Sequence, residues 1–333
     1  MRYRKLGNSG LELSEIGLGT WAIGGGDWGM GWGNQSKRDS IDAILEALEH
    51  GINWIDTAHA YGFGLAEEVV AEVLASWKEK VVVATKCGVL PNDDRTPRRF
   101  ISPETIQQEV ELSLSRLKVE SIDLYQIHWP SPKENLFDSW EKLKDLQTQG
   151  KVIKIGVCNC NAEELKLLGD SEIISSNQPM YNILERKIEK DVLPWCSDNQ
   201  VGILAYSPMH SGLLTGKVSK EWFYNLPDND WRKHKVDHPV VCDLHSDLGL
   251  SNFIEFQAKY DINAKIDKSS GVKQVEDINE FSSLDVIIFM LPNGRVVSEM
   301  AIKLLEKNLK SVFIDMSSSD PRETQELGKK LKN

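Results

Sequence analysis

Short apolar runs alternate with helix-patterned stretches through the first two hundred residues. The runs are Leu13–Leu18, Asn53–Asp56, Val81–Thr85, Ile122–Ile127, Ile153–Val157, Ile173–Gln178 and Val201–Tyr206. Between them, apolar residues recur at helical spacing, as at Ile41, Ile44, Leu45 and Leu48, and predict helices over 36–50, 66–76, 103–117, 136–149, 162–168 and 189–198. Ser36 stands where a helix cap belongs, Pro103 sits in a first turn, and Gly150 follows a helix end. Strands alternating with helices predict parallel β/α units. Seven strands are one short of the eight that close a TIM-type barrel, so a (β/α)8 barrel incomplete at its eighth unit is the expected α/β fold.

The remaining apolar runs lie far downstream, at Val286–Leu291 and Val312–Met316. Such runs need cover on both faces, and a barrel missing one unit leaves two unpaired edges. The expected organisation is a barrel over 1–240 and a C-terminal βα segment over 253–333. That segment is expected to pack as a small layer against the barrel, with one of its strands filling the gap.

At 333 residues, with 41% hydrophobic and 27% charged residues, the composition is that of a water-soluble globular chain. A net charge of -11 argues against a nucleic-acid partner, which would select clustered positive charge. Met1–Leu6 has no apolar stretch behind its basic residues, and no run reaches the length of a membrane span. The expected location is cytoplasmic. The five cysteines are an odd number in a chain too long to need disulfide staples, and Cys158 and Cys160 lack a second ligand pair of zinc spacing, so no metal is expected. Nothing in the sequence reports oligomeric state.

The candidate chemistry falls at strand ends, the rim at which a parallel barrel places its loops. Asp56 closes one strand and Tyr61 follows in a glycine-flanked loop; Lys86 and His128 close two more. A phenol is a weak acid at neutral pH unless a cation stabilises its phenolate. Lys86 would supply that cation, Asp56 would hold Lys86, and His128 would meet a carbonyl oxygen. Taken singly, Asp56 and Lys86 are also an ordinary ion pair, and His128 an ordinary core histidine. Gly17–Ala22 imitates the dinucleotide turn G-x-G-x-x-A, but Gly24, Gly25, Gly26, Gly29, Gly31 and Gly33 forbid the helix that turn must open. The stretch is expected to be a mobile loop carrying Trp21, Trp28 and Trp32 over a pocket, or, for Trp28 and Trp32, a disordered surface loop.

Order and spacing of Asp56, Tyr61, Lys86 and His128 resemble the catalytic tetrad of the aldo-keto reductases, and Gly17-Leu-Gly-Thr-Trp21, Ser115-Arg-Leu117, Ile122-Asp-Leu-Tyr125 and Gly156-Val-Cys-Asn159 resemble that family's flanking text. The resemblance runs from about residue 2 to about 239. It implies an oxidoreductase moving hydride from NADPH, with NAD possible, to a small aldehyde or ketone. It places Gly19, Thr20 and Trp21 at the cofactor, Asn159 and Gln178 at the nicotinamide carboxamide, Tyr206 against the ring, and Ser207, Gly212, Leu213, Thr215 and Lys217 over the pyrophosphate. Trp21 and Trp129 would wall the substrate pocket. Cys158 replaces the usual serine before Asn159. The loop that clamps the adenosine 2′-phosphate has no counterpart, which leaves NADP against NAD open.

Residues 260–333 instead resemble part of the nucleotide-binding domain of β-hydroxyacid dehydrogenases, through Tyr260-Asp-Ile-Asn263, Asp285–Gly294 and Phe313–Pro321. That likeness would set Asp261 near the ribose, Leu291-Pro292 beside the cofactor and Ser317-Ser318 near a substrate. The opening strand with its G-x-G-x-x-G turn is missing; only Leu248–Asn252 stands at the join. The join reads as a gene fusion. The alternative to a reductase is an inactive barrel that binds nucleotide or a partner.

Overall fold

The computed structural model describes residues 1–215, 218–235 and 241, together with two strand backbones, 286–289 and 312–315. A hairpin of β1 (Tyr3–Lys5) and β2 (Glu12–Ser14) precedes the barrel. Seven parallel strands follow the sequence pattern closely: β3 (Ile16–Gly19), β4 (Trp54–Asp56), β5 (Val82–Cys87), β8 (Ile122–Ile127), β9 (Val152–Cys158), β10 (Ile174–Gln178) and β11 (Gly202–Ala205). A second hairpin, β6 (Val89–Pro91) with β7 (Pro97–Arg99), stands on the loop after β5. Leu13–Leu18 is therefore not one strand: its first half belongs to the N-terminal hairpin and its second to the barrel.

The tail strands β12 (Val286–Phe289) and β13 (Val312–Asp315) enter the same sheet. β12 pairs with β11 through Leu204 and Ala205, β13 with β12 over four residues, and β13 with β3 through Ile16, Gly17 and Leu18. The order β3-β4-β5-β8-β9-β10-β11-β12-β13 closes on itself. The fold is thus a TIM-type α/β barrel in which the missing eighth unit is replaced by a pair of strands. This corrects the expectation of a separate layer lending one strand: both tail strands lie within the barrel wall, because a two-edged gap satisfies its backbone groups only when closed.

Helices α1 (Lys37–Glu49), α2 (Leu65–Ser76), α3 (Pro103–Leu117), α4 (Leu136–Thr148), α5 (Ala162–Leu167) and α6 (Val192–Asp198) connect the strands. Ser36 caps α1 by accepting from Asp39 N, and Ser102 with Thr105 forms a capping box on α3. Trp54 and Trp140 are wholly buried among the branched aliphatics of the strands and helices. Burying one large apolar side chain contributes about 2 kcal/mol, so this wall holds strand ends rigidly. Two short helices, α7 (Lys220–Tyr224) and α8 (Trp231–His234), carry a smaller apolar cluster centred on Trp231. No helix among the described residues is long and apolar enough to cross a membrane.

Candidate active site

Because the strands are parallel, one end of the barrel collects the ends of β4, β5, β8, β9, β10 and β11. Register aligns them: Gly19 pairs with Asp56, Asp56 with Ala84, and Lys86 with Gln126. Lys86 is buried beneath this rim. An ammonium has three protons to donate, and Lys86 Nζ has three acceptors: Asp56 Oδ2 at 2.7 Å, the Thr57 carbonyl at 2.8 Å and Tyr61 Oη at 3.4 Å. The phenol oxygen therefore accepts from the lysine, which leaves its own proton to point elsewhere.

Asp56 is buried with both oxygens engaged, since Gln178 Nε2 donates to Oδ1 at 2.9 Å. Burial pushes the Tyr61 phenol well above its ordinary value, and the Asp56 carboxylate adds to the rise. The expected lowering by Lys86 does not appear. A carboxylate 2.7 Å from the ammonium cancels most of its field at the phenol. Tyr61 consequently keeps its proton through neutral pH, the state that a proton donor requires.

The ring of His128 stands edge-on to Tyr61, centroids 5.9 Å apart. Its Nδ1 is sealed from solvent without a hydrogen-bond partner. Burial, with Lys86 and Arg99 as nearby cations, lowers its pKa well below the ordinary range and keeps the imidazole neutral.

Tyr61 and His128 open onto a cavity of about 840 Å³, which Trp21, Trp129, Asn159, Gln178, Tyr206 and Ser207 also line. Asn159 directly follows β9 and is spent partly on the protein: its amide donates to the His128 carbonyl at 3.0 Å, and its oxygen accepts from Tyr206 Oη at 2.9 Å. Asn159 and Ser207 both adopt left-handed backbone, φ 59° and 51°, a strain that non-glycine residues carry mainly at functional sites. Cys158 is buried below, its thiol directed at Gln178 Oε1 at 3.9 Å, and burial raises its pKa.

Other expected cofactor residues do not line the cavity. Gly19 and Thr20 belong to the wall, with Thr20 N donating to the Asp56 carbonyl at 2.9 Å. Gly212, Leu213 and Thr215 form a tight turn over 210–215, and Ser211 of that turn is the residue that reaches the cavity. Lys217, Asp261, Leu291-Pro292, Ser317-Ser318, Cys242 and the join at 248–252 lie outside the described residues.

The first loop is ordered rather than loose. After one helical turn, Ala22–Gly24, it packs so tightly on the Tyr61 loop that a Cβ at Gly24 would stand 2.6 Å from Gly62 N. No α-helix opens until Lys37, so the G-x-G-x-x-A likeness carries no dinucleotide turn. Trp28 is buried against Tyr61 and Phe63. Trp21 stacks on Trp231 at 5.6 Å and meets Trp32 edge-on at 5.4 Å. The surface-loop reading of Trp28 and Trp32 is thereby corrected. Sequence reasoning missed Arg99 and Lys235, which also line the cavity. The turn residues Asn92-Asp93-Asp94 between two Pro-marked runs were the available sign of the Arg99 hairpin.

The model of the aldo/keto reductase family matches residues 15–280. The chain belongs to that family, whose members are NAD(P)-dependent oxidoreductases. The match extends past residue 239, the expected end of the resemblance. A second family model, the NAD binding domain of 6-phosphogluconate dehydrogenase, matches 257–333. An aldo-keto reductase of Bacillus subtilis (strain 168) is 39% identical over 236 residues, 70% of this chain and 69% of its own length. The NADH-specific methylglyoxal reductase of Escherichia coli (strain K12) is 38% identical over 238 residues, 67% of this chain and 72% of its own. Among solved structures, the glycerol dehydrogenase from Gluconobacter oxydans superposes with TM-score 0.66 at 29% identity, covering 99% of this chain and 94% of that one.

Proposed function

We propose that this reductase converts a small aldehyde or ketone to the alcohol using NADPH, with Tyr61 as proton donor and Lys86, Asp56 and His128 as its supports. One observation carries the reading: the Lys86 ammonium is shared among Asp56, Thr57 and the oxygen of Tyr61, so the phenol proton is the one left to give.

The residues at the cavity suit a nicotinamide. Tyr206 offers an aromatic face, the remaining valences of Asn159 suit a carboxamide, and the His128 ring, which lines the same cavity, offers a polar edge to a carbonyl oxygen. When bound, the cofactor supplies the hydride. Tyr61 and neutral His128 orient the carbonyl oxygen between them, and Trp21 and Trp129 exclude water. As negative charge grows on that oxygen, the phenol proton crosses to it, and the phenolate left behind is stabilised by the Lys86 ammonium. Gly212, Leu213 and Thr215 shape the turn beside the cofactor phosphates. NADPH is named first on family likeness; the NADH-specific relative keeps NADH in play. Residues 253–333 are assigned the structural task of closing the barrel rather than a second active site, since no G-x-G-x-x-G turn stands at the join directly before them.

The test is turnover of methylglyoxal and benzaldehyde with NADPH and with NADH. Tyr61→Phe is expected to lower kcat by about 10²–10⁴ with cofactor Kd nearly unchanged. Full turnover by the variant would overturn the assignment.

A further inference from the structure

The cavity at the catalytic end is electrostatically unlike the rest of the chain. Net charge is -11, yet no Asp or Glu lines the cavity among the described residues, while Arg99 and Lys235 do. Arg99 closes the β6–β7 hairpin, which rises from the strand that ends with Lys86 and Cys87. Its guanidinium lies over the Trp129 ring, Cζ 3.5 Å from the centroid, and makes no hydrogen bond or ion pair among the described residues. A guanidinium stacked by its face keeps its N–H edge free, and that edge has the fork geometry that a carboxylate matches. Arg99 is also near enough to His128 to act on its charge. An unpaired, forked cation therefore faces the same cavity as the group expected to meet the carbonyl oxygen, from the hairpin and Trp129 side.

We propose that the substrates of this site carry a carboxylate at the end remote from the reacting carbonyl, and that Arg99 binds it. The inference rests on the carbonyl-reduction reading above and adds a substrate class to it. The phosphates of the dinucleotide are the other oxyanions this cavity would meet. Arg99, however, comes from the loop after β5 and stacks on Trp129, whereas Ser207, Gly212, Leu213 and Thr215, the residues matched to the phosphate loop, come from the loop after β11, as does Ser211 at the cavity.

The test measures kcat/KM on the full chain for 4-carboxybenzaldehyde and 4-oxobutanoate against benzaldehyde and butanal, with NADPH Kd followed by fluorescence titration. Wild type is expected to prefer the acids, and added salt to narrow the preference. Arg99→Met is expected to reduce the acid-to-neutral ratio roughly tenfold, chiefly through KM, and Arg99→Lys to keep part of it. An equal ratio in wild type and Arg99→Met overturns the proposal. So does an unchanged ratio with a raised NADPH Kd, which would assign Arg99 to the cofactor. Failure of wild type to reduce even the neutral aldehydes would instead remove the underlying reading.

Discussion

Gln178 donates to Asp56 across 122 residues of chain, 2.9 Å from Nε2 to Oδ1, and so completes the coordination of the carboxylate that holds Lys86. Family likeness sets Gln178 at the nicotinamide carboxamide, but in this geometry its amide nitrogen serves the ion pair and its oxygen faces Cys158. The two roles make different predictions. If the buttress dominates, Gln178→Leu leaves a buried carboxylate oxygen without its donor, costs about 1–3 kcal/mol, and lowers kcat more than it raises KM for NADPH. Thermal melts and steady-state kinetics on the one variant decide; a large rise in cofactor KM with an unaltered Tm would reverse the ranking.

Lys86 offers a way to separate stability from chemistry. Removing one member of a buried ion pair strands its partner at a cost of about 3–5 kcal/mol, whereas removing both leaves little unpaired charge. Lys86→Met should therefore lower both Tm and activity. Adding Asp56→Asn should recover much of the Tm and none of the activity, because the phenolate would still lack its cation. Recovery of turnover in the double variant would show that the pair is structural only.

The strand ends bearing Asp56, Lys86 and His128 were legible because continuous apolar runs are the strongest local signal a parallel sheet leaves. Helix starts at Ser36 and Pro103 were legible from equally local signals, a capping hydroxyl and a first-turn proline. What could not be read is non-local. The Gln178–Asp56 bond joins strands that are far apart in sequence, and the seat of Val286–Phe289 beside β11 depends on closure rather than on any residue within it. The β6–β7 hairpin escaped because its strands, Val89–Pro91 and Pro97–Arg99, are three residues each, too short to show a period, and both contain proline. The direction of the Tyr61 shift escaped because it depends first on how completely the phenol is buried and then on the Asp56 carboxylate beside it, packing and distance rather than pattern.

Two buried groups away from the cavity should shape stability against pH in opposite senses. Glu109 accepts from Gly88 N at 2.9 and 3.1 Å, and burial raises its pKa from 4.5 to about 8 against that donor. Its proton is bound more tightly when folded, so the stability it confers is complete below about pH 4.5 and is lost as pH rises through about 8. His59, lowered from 6.5 to about 4 by burial and then by Arg116, contributes stability that is complete above 6.5 and lost as pH falls through about 4. Melting temperature should fall between about pH 6.5 and about pH 8 by a few degrees, and Glu109→Gln should flatten that limb while leaving the acid limb. An alkaline limb identical in the variant would place its origin elsewhere.

Closure by the tail leads to a final expectation about the barrel itself. Without β12 and β13, the backbone of β11 at Leu204–Ala205 and of β3 at Ile16–Leu18 loses its partners, and the sheet regains two edges. Deleting 253–333 should therefore lower Tm sharply and favour aggregation through those edges. Because a truncation removes more than strands, Ile287→Pro is the sharper probe. Ile287 pairs with Ala205 on one side and Phe313 on the other, and proline there removes a ladder N–H in mid-sheet, where a central strand does not accommodate it. The same substitution at Lys330, outside either strand, is the control. If Ile287→Pro melts with wild type while the truncation also keeps its Tm, the seven strands from Ile16 to Ala205 stand unaided and the tail has another task.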